Sequence, residues 1–253
     1  MRSMIWCGCV LGLVVVLAGP TRADDDKEMH ALVDKALKAA GGADKLAKFK
    51  ACTFKGKGNV TEGNKEGTFT AEGSFRGGTH WRMEMEANVD GQNRQVILVF
   101  DGQKAWARPK DRDAMEAPEE AIAVIKELTH VMYLAQTLAP LKGKDYKLAP
   151  LGEVKINDRA TLGMKVTPKD RKEINLYFDK ETGHLAKCEM NIVDMKDGQE
   201  VSHEYFFSDH KDMDGVKHFS KIVFKRDGKK FFDAELSEVK AQDKLDDNLF
   251  VKP

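Results

Sequence analysis

The sequence predicts an α+β fold that is mainly antiparallel β. It is expected to be a curled, incompletely closed barrel of about 11 strands, with one helix at the N-terminus and another inserted over or inside the concave face. Three observations carry this expectation. Between residues 145 and 240 the chain consists almost wholly of short segments that alternate apolar and polar side chains, the period of a half-buried strand. Turn residues separate them, including Asp214-Gly215 and Asp227-Gly228. Asp-Gly is a strong hairpin signal, because Gly takes positive φ at little cost and Asp tolerates the left-handed region. Only two long stretches switch to the 3.6-residue period of an amphipathic helix.

The strands expected in the second half are 146–155, 160–167, 173–179, 185–194, 200–208, 216–226 and 229–239. Between them stand Asn157-Asp158, Pro168-Lys169-Asp170, Glu181-Thr182-Gly183, Asp197-Gly198 and the two Asp-Gly pairs. Apolar residues gather on one face of each segment, as in Ala160/Leu162/Met164/Val166, Ile174/Leu176/Phe178, Ala186/Cys188/Met190/Ile192 and Tyr205/Phe207. Charged residues frequent the other face, so the sheet should be antiparallel with one wet side. From Lys50 the first half shows the same period in Cys52/Phe54/Val60, Phe69/Ala71/Phe75, Trp81/Met83/Met85/Ala87/Val89 and Val96/Leu98/Phe100. Its turns are Glu62-Gly63-Asn64, Gly77-Gly78, Asp90-Gly91 and Asp101-Gly102, with a short strand at 105–108. This is more than a strongly twisted open sheet holds without curling.

Residues 27–40 place Met29, Leu32, Val33, Ala36 and Leu37 on one helical stripe, and Gly41-Gly42 stops it. Residues 43–49 add one or two turns. The inserted helix, 118–139, opens with Pro118 at a natural first helical position and with Glu119 and Glu120 at the positive end of the dipole. Ala121, Val124, Leu128, Val131, Ala135 and Leu138 form its stripe, widened by Ile122, Ile125 and Met132. An arc so broad must be covered. The helix can fill the barrel as core or cover a cavity as a lid; the lid is the expectation, because the hairpins on either side pair without it.

Residues 1–23 combine Arg2, an apolar run over 5–18 and small residues at the −3 and −1 positions of Thr21-Arg22-Ala23, the pattern of a secretory signal peptide. The run is short for a membrane span, and Pro20 stands where a lipidated Cys would. Residues 24–253 are expected to form a single soluble domain. The chain holds 41 basic and 41 acidic side chains, and losing Arg2 and Arg22 leaves it near −2. That balance offers no excess for nucleic acid. Cys52 and Cys188 sit among apolar strand residues. They can pair across the sheet or lie buried and free, and the expectation is buried and unpaired.

Catalytic patterns are sparse. His80, His130, His184, His203, His210 and His218 lack metal-ligand spacing. Asp212-Met213-Asp214-Gly215 begins like a calcium loop, but His210 stands where its first Asp belongs and Lys221 where its closing Glu belongs. Ser237-Glu238-Val239-Lys240 spells Ser-x-x-Lys on a strand, whereas that chemistry needs a helix. The expectation is a protein that is not an enzyme and holds no cofactor or metal.

An N-terminal helix, Asp-Gly hairpins and a helix inserted midway come with three telling stretches. These are Gly152-Glu153-Val154-Lys155-Ile156-Asn157-Asp158-Arg159-Ala160, Leu176-Tyr177-Phe178-Asp179-Lys180-Glu181-Thr182-Gly183 and Asp243-Lys244-Leu245-Asp246-Asp247-Asn248-Leu249-Phe250. Over nearly all of the processed chain the sequence resembles the LolA-like family of outer-membrane lipoprotein-sorting proteins. The resemblance implies an unclosed antiparallel barrel with helices over its mouth, a bacterial periplasmic location and a cavity for acyl chains. The function it implies is a monomeric carrier for lipoprotein acyl chains or other lipids, with a membrane-bound donor or acceptor protein as partner. Relatives with this fold include a stress sensor, so a lipid or lipoprotein sensor or protein-interaction module is the alternative. The residues expected to line the cavity are Trp81, Met83, Met85, Phe100, Leu128, Met132, Met164, Phe178, Met190 and Phe207. The family's lid-latching arginine has no matched position, with Arg82 and Arg94 as candidates by strand location alone.

The processed protein is expected to begin at Asp24 and to carry no acyl group. N-terminal sequencing that returned Met1, or an acyl adduct in the intact mass, would overturn this.

Overall fold

Three Asp-Gly turns take positive φ at both residues: Asp90-Gly91 (54° and 75°), Asp214-Gly215 (56° and 79°) and Asp227-Gly228 (48° and 73°). Asn157-Asp158 does the same at 48° and 62°. This geometry matches the right-handed twist of the strands it joins, and the hairpins it closes build the sheet. The computed structural model describes residues 22–194 and 198–253. Apart from Arg22 and Ala23, the expected signal peptide lies outside the described residues, as does Asp197 of one expected turn.

The elements run α1 (Arg22–Ala39), α2 (Ala43–Leu46), β1 (Ala51–Glu62), β2 (Lys65–Arg76), β3 (His80–Val89), β4 (Gln92–Phe100), β5 (Ala105–Pro109), β6 (Met115–Glu116), α3 (Glu119–Thr137), β7 (Tyr146–Ile156), β8 (Arg159–Pro168), β9 (Ile174–Asp179), β10 (Leu185–Val193), β11 (Glu200–Met213), β12 (Val216–Arg226) and β13 (Lys229–Ala241). One antiparallel sheet of 13 strands results, in the order β6-β5-β4-β3-β2-β1-β13-β12-β11-β10-β9-β8-β7. Two meanders, β1–β6 and β7–β13, meet along β1 and β13, with Cys52 opposite Ala241 and Val60 opposite Phe232. The strand not foreseen is β6, two residues in the charged stretch between β5 and α3 and too short to show a period.

The chain leaves one edge of the sheet at β6 and enters the other at β7, so α3 has to cross between the edges. Its contacts show how. Thr129 Oγ1 accepts a 2.9 Å hydrogen bond from Trp81 Nε1 on β3. Two residues earlier, Glu127 accepts from the Lys172 backbone N–H just before β9, and Arg171 Nη1 donates to the Lys126 carbonyl, both at 3.3 Å. Strands β3 and β9 are seven steps apart in the sheet order. At about 4.8 Å a step they would stand roughly 34 Å apart in a flat sheet, whereas a helix is only about 10–12 Å across. One turn of α3 touches both, so the sheet curls around it.

The cross-strand register fixes which residues face inward. Phe100, Trp81, Phe75 and Cys52 are opposite one another on β4 to β1, as are Leu98, Met83, Gly73 and Phe54. Through Gly58, Ala234 and Ile222 the same face continues into the second meander, where Tyr205, Cys188, Leu176 and Met164 follow in one row. Two glycines let the sheet bend there. A Cβ on Gly58 would lie 1.9 Å from the Asp233 carbonyl oxygen, and one on Gly73 would lie 2.3 Å from the Phe54 ring.

The core fills the second meander. Met29, Val33, Ala36 and Leu37 of α1 and Val131, Leu134 and Ala135 of α3 pack with Met164, Ile174, Leu176, Phe178 and Phe207, all buried. Cys52 and Cys188 are buried and unbonded, and burial pushes the Cys52 thiol up to about 11. On the outer face Lys187 sits between Glu189 (2.5 Å) and Glu204 (2.7 Å), and the Tyr177 hydroxyl donates to Glu189 at 2.6 Å. The polar side of the sheet is thus cross-linked as well as wet.

Histidines underlie the α1–α2 junction. Lys217 N–H donates to the Ala40 carbonyl at 2.9 Å. Beside it His184 and His210 stack at 4.2 Å, and His218 meets the Phe49 ring edge-on at 4.7 Å with its Nε2 unpartnered. Burial holds His210 and His218 down at about 4 and also lowers His184. Lys217 and Arg159 further oppose charge on His184, while Asp179 favours it. A folded pKa below the unfolded value means that this stability is present above the unfolded value, about 6.5, and is lost as pH falls towards 4. The melting temperature should hold from pH 8 to 7 and fall between pH 6.5 and 4. In a His210→Gln/His218→Gln variant the fall should be shallower; equal slopes in thermal melts of the two proteins would refute the assignment.

Candidate functional site

Every strand residue expected to line the cavity faces inward, by the register described above. They divide into two sets. Phe100, Met164, Phe178, Met190 and Phe207 are no more than 4% exposed, and all but Phe100 belong to the core cluster that includes α1 and α3. Trp81, Met83 and Met85 on β3, and Leu128 and Met132 on α3, are half-buried. The division follows α3. From Thr129 to Leu138 most of its residues are buried, whereas Ile122, Val124, Ile125 and Leu128 nearer its start are half-buried. Its second half belongs to the core, and its first half lies over a shallower part of the curl.

Trp81 marks the boundary, with its indole N–H bonded to Thr129. Beyond it, Met83 and Met85 lie opposite Leu98 and Val96, and Phe69 lies opposite Ala87. All six are half-buried. Phe69 also meets the Phe232 ring edge-on at 6.2 Å. This apolar strip adjoins the core but is not sealed by α3. Methionines suit an irregular apolar ligand, because their unbranched, polarisable side chains adapt to shape.

Arg171 holds the helix from the other arm, its guanidinium 3.6 Å from the Glu127 carboxylate of α3. Burial and the Arg171 charge keep His130 on the same helix neutral, its pKa lowered to about 4, and its ring stacks on Tyr146. Sequence reasoning did not single out Arg171, because it stands in a run of charges with no period. Arg82 and Arg94 pair instead with Glu84 and Glu62.

Three recesses are open. One, of about 750 Å³, lies between Val124 of α3, Arg171 and Lys172, and Ile192 at the end of β10. The other two, about 1160 and 1540 Å³, merge into a trough along the outer face of β1–β5 and β11–β13, with Phe69, Met85 and Val96 of the strip also on its border. Complete rows of that face line it, such as Lys55, Glu72, Glu84, Ile97 and Arg108, and Lys57, Thr70, Glu86 and Gln95. The loop 110–113 walls one side. Of the ten expected cavity residues only Met85 borders any of the three. Among the described residues there is no group of three or more His, Cys, Asp or Glu placed to hold a metal, and no helix long and apolar enough to cross a membrane.

No family model and no curated protein matches the chain. Solved structures do. A LolA superfamily protein from Nitrosomonas europaea superposes with a TM-score of 0.55 at 13% identity, covering 88% of this chain and 97% of its own. A DUF1329 family protein from Desulfovibrio piger gives 0.54 at 15% identity, over 88% and 96%. A candidate outer membrane lipoprotein-sorting protein domain from Vibrio parahaemolyticus gives 0.50 at 12% identity, over 86% and 97%. At such identities the likeness is one of architecture. The 13-stranded sheet curled around an inserted helix is the LolA-like fold.

Proposed function

We propose that this protein binds acyl chains of lipids or lipoproteins in the bacterial periplasm and carries them as part of outer-membrane lipoprotein sorting. The observation that carries the reading is the half-buried strip of Met83, Met85, Leu98, Val96 and Phe69, which continues the core along the inner face past the sealed part of α3. Apolar surface in a concave setting gains about 25 cal/mol per Å² when a ligand covers it. The Vibrio domain named for lipoprotein sorting shares the architecture, which supports the reading without identifying the cargo. The ligand would enter beneath the first half of α3, where Ile125 and Leu128 stand half-buried. The reading includes no catalytic step. The second reading, a sensor that reports such ligands to a protein, is favoured by the trough on the outer face.

Two substitutions on α3 separate core from cover. Leu134→Asp places a charge where the wild-type side chain is 0% exposed and should abolish the cooperative melt, at a cost of several kcal/mol. Leu128→Asp should keep the sheet folded and change binding of a fluorescent fatty acid. Met83→Asp/Met85→Asp should weaken that binding with the melt preserved. A wild-type protein that binds no acyl probe, or strip variants that bind as well as wild type, would count against the carrier.

A further inference from the structure

Residues directly opposite one another on paired antiparallel strands share a face of the sheet. Met115 on β6 is opposite Ala107 on β5, which is opposite Leu98 on β4 and then Met83 on β3. All four therefore belong to the inner face, and β6 is the last strand at its end of the sheet. Two further inward rows flank them, Pro109, Val96 and Met85 on one side and Ala105, Phe100 and Trp81 on the other. None of these residues is charged. Glu116, paired with Lys104 at 2.9 Å, faces the opposite way by its register with Trp106. The apolar strip thus runs without a charged side chain to the edge of the sheet.

Exposure falls along the row from that edge inward. Met115 is 55% exposed, the highest value for a large apolar side chain among the described residues, whereas Ala107, Leu98 and Met83 are half-buried. The opposite edge differs, because α1 packs along β7 and Leu148 of β7 belongs to the core. From β6 to β3 there are three steps in the sheet order, or about 14 Å at 4.8 Å a step. One acyl layer, half of a bilayer's hydrocarbon core, measures about 15 Å. Only Ala117 separates β6 from Pro118, so the edge leads straight to the start of α3. We infer that the β6 edge is the portal of the acyl strip: the chain crosses it methyl end first past Met115, lies across β5 and β4 to reach Met83, and leaves its polar head in solvent at the edge. This rests on the acyl reading of the strip and adds to it a route of entry and an orientation of the bound ligand. A methionine suits the threshold, since its flexible, polarisable side chain can follow a passing chain.

Stopped-flow binding of a fluorescent fatty acid to the processed chain tests the route. Met115→Asp should slow association and dissociation together by roughly five-fold or more, with Kd within about two-fold of wild type, because every chain then passes a charge that is costly to desolvate. Met115→Leu should keep the wild-type rates. Leu151→Asp, at a 38% exposed site on β7, should keep them too. Orientation is tested by quenching. In a Trp106→Phe background Trp81 is the sole tryptophan of the processed chain, and a nitroxide near the methyl end of the fatty acid should quench it more strongly than one near the carboxylate. Thermal melts confirm that each variant folds. Wild-type association by Met115→Asp, equal slowing by Leu151→Asp, or stronger quenching from the carboxylate end would overturn the portal and leave the acyl reading standing. A wild-type protein that binds no fatty acid would overturn both.

Discussion

A single helix has to satisfy two arms of one sheet, and the architecture depends on this constraint. Thr129 takes the Trp81 indole from one arm while the residues around Glu127 take Arg171 and Lys172 from the other. A twisted sheet of 13 strands tends to curl, and α3 at that spacing holds the two arms together across the curl. With it, the face divides into a sealed half, where Leu134 and Phe178 are fully buried, and an unsealed half along β3 and β4. The sealed half stabilises the protein, and the unsealed half leaves Met83, Met85 and Leu98 half-buried. The helix is therefore buried along its second half and only half-buried along its first.

The two faces of the first meander carry different chemistry. Inside, Met83, Met85 and Leu98 present soft apolar surface; outside, the same strands present lysine, glutamate and asparagine around a trough. Period-two alternation produces both at once, because each strand contributes successive side chains to opposite sides. Long hairpins thus serve two surfaces without any added element. Charge is matched in places on the outer face, as at Lys187 with Glu189 and Glu204.

Local chemistry was legible in the sequence. Asp90-Gly91, Asp214-Gly215 and Asp227-Gly228 declare their hairpins through residue type, and the α3 stripe declares a helix that must be covered. Pro118 marks the start of α3 to within one residue. The inward set of candidate residues followed from alternation, which reports facing direction. Alternation does not report depth, so it could not separate buried Met164 and Phe178 from half-buried Met83 and Met85. That division is made by α3, whose resting place depends on contacts distant in sequence. Arg171 and the two-residue strand β6 were missed for a related reason: one stands in a charged turn and the other is too short for any period. The trough escaped notice because it arises from the bend of the sheet and the loop 110–113, and neither is a pattern along the chain.

All pairings of the described sheet but one join strands that follow each other directly in the chain. The exception is the seam of β1 with β13, the first strand with the last. Each meander can zip up from its own hairpins at small loop-closure cost, whereas the seam waits until the end of the chain has been delivered. Until then β1 presents an open edge from Ala51 to Glu62, with no charge pairing or helix to mask its backbone groups on that side. Two copies meeting in this interval can trade halves, because either β13 satisfies either β1 and the α3 crossing serves as the hinge. The seam that completes the monomer is thus also the place where strand exchange between copies would begin.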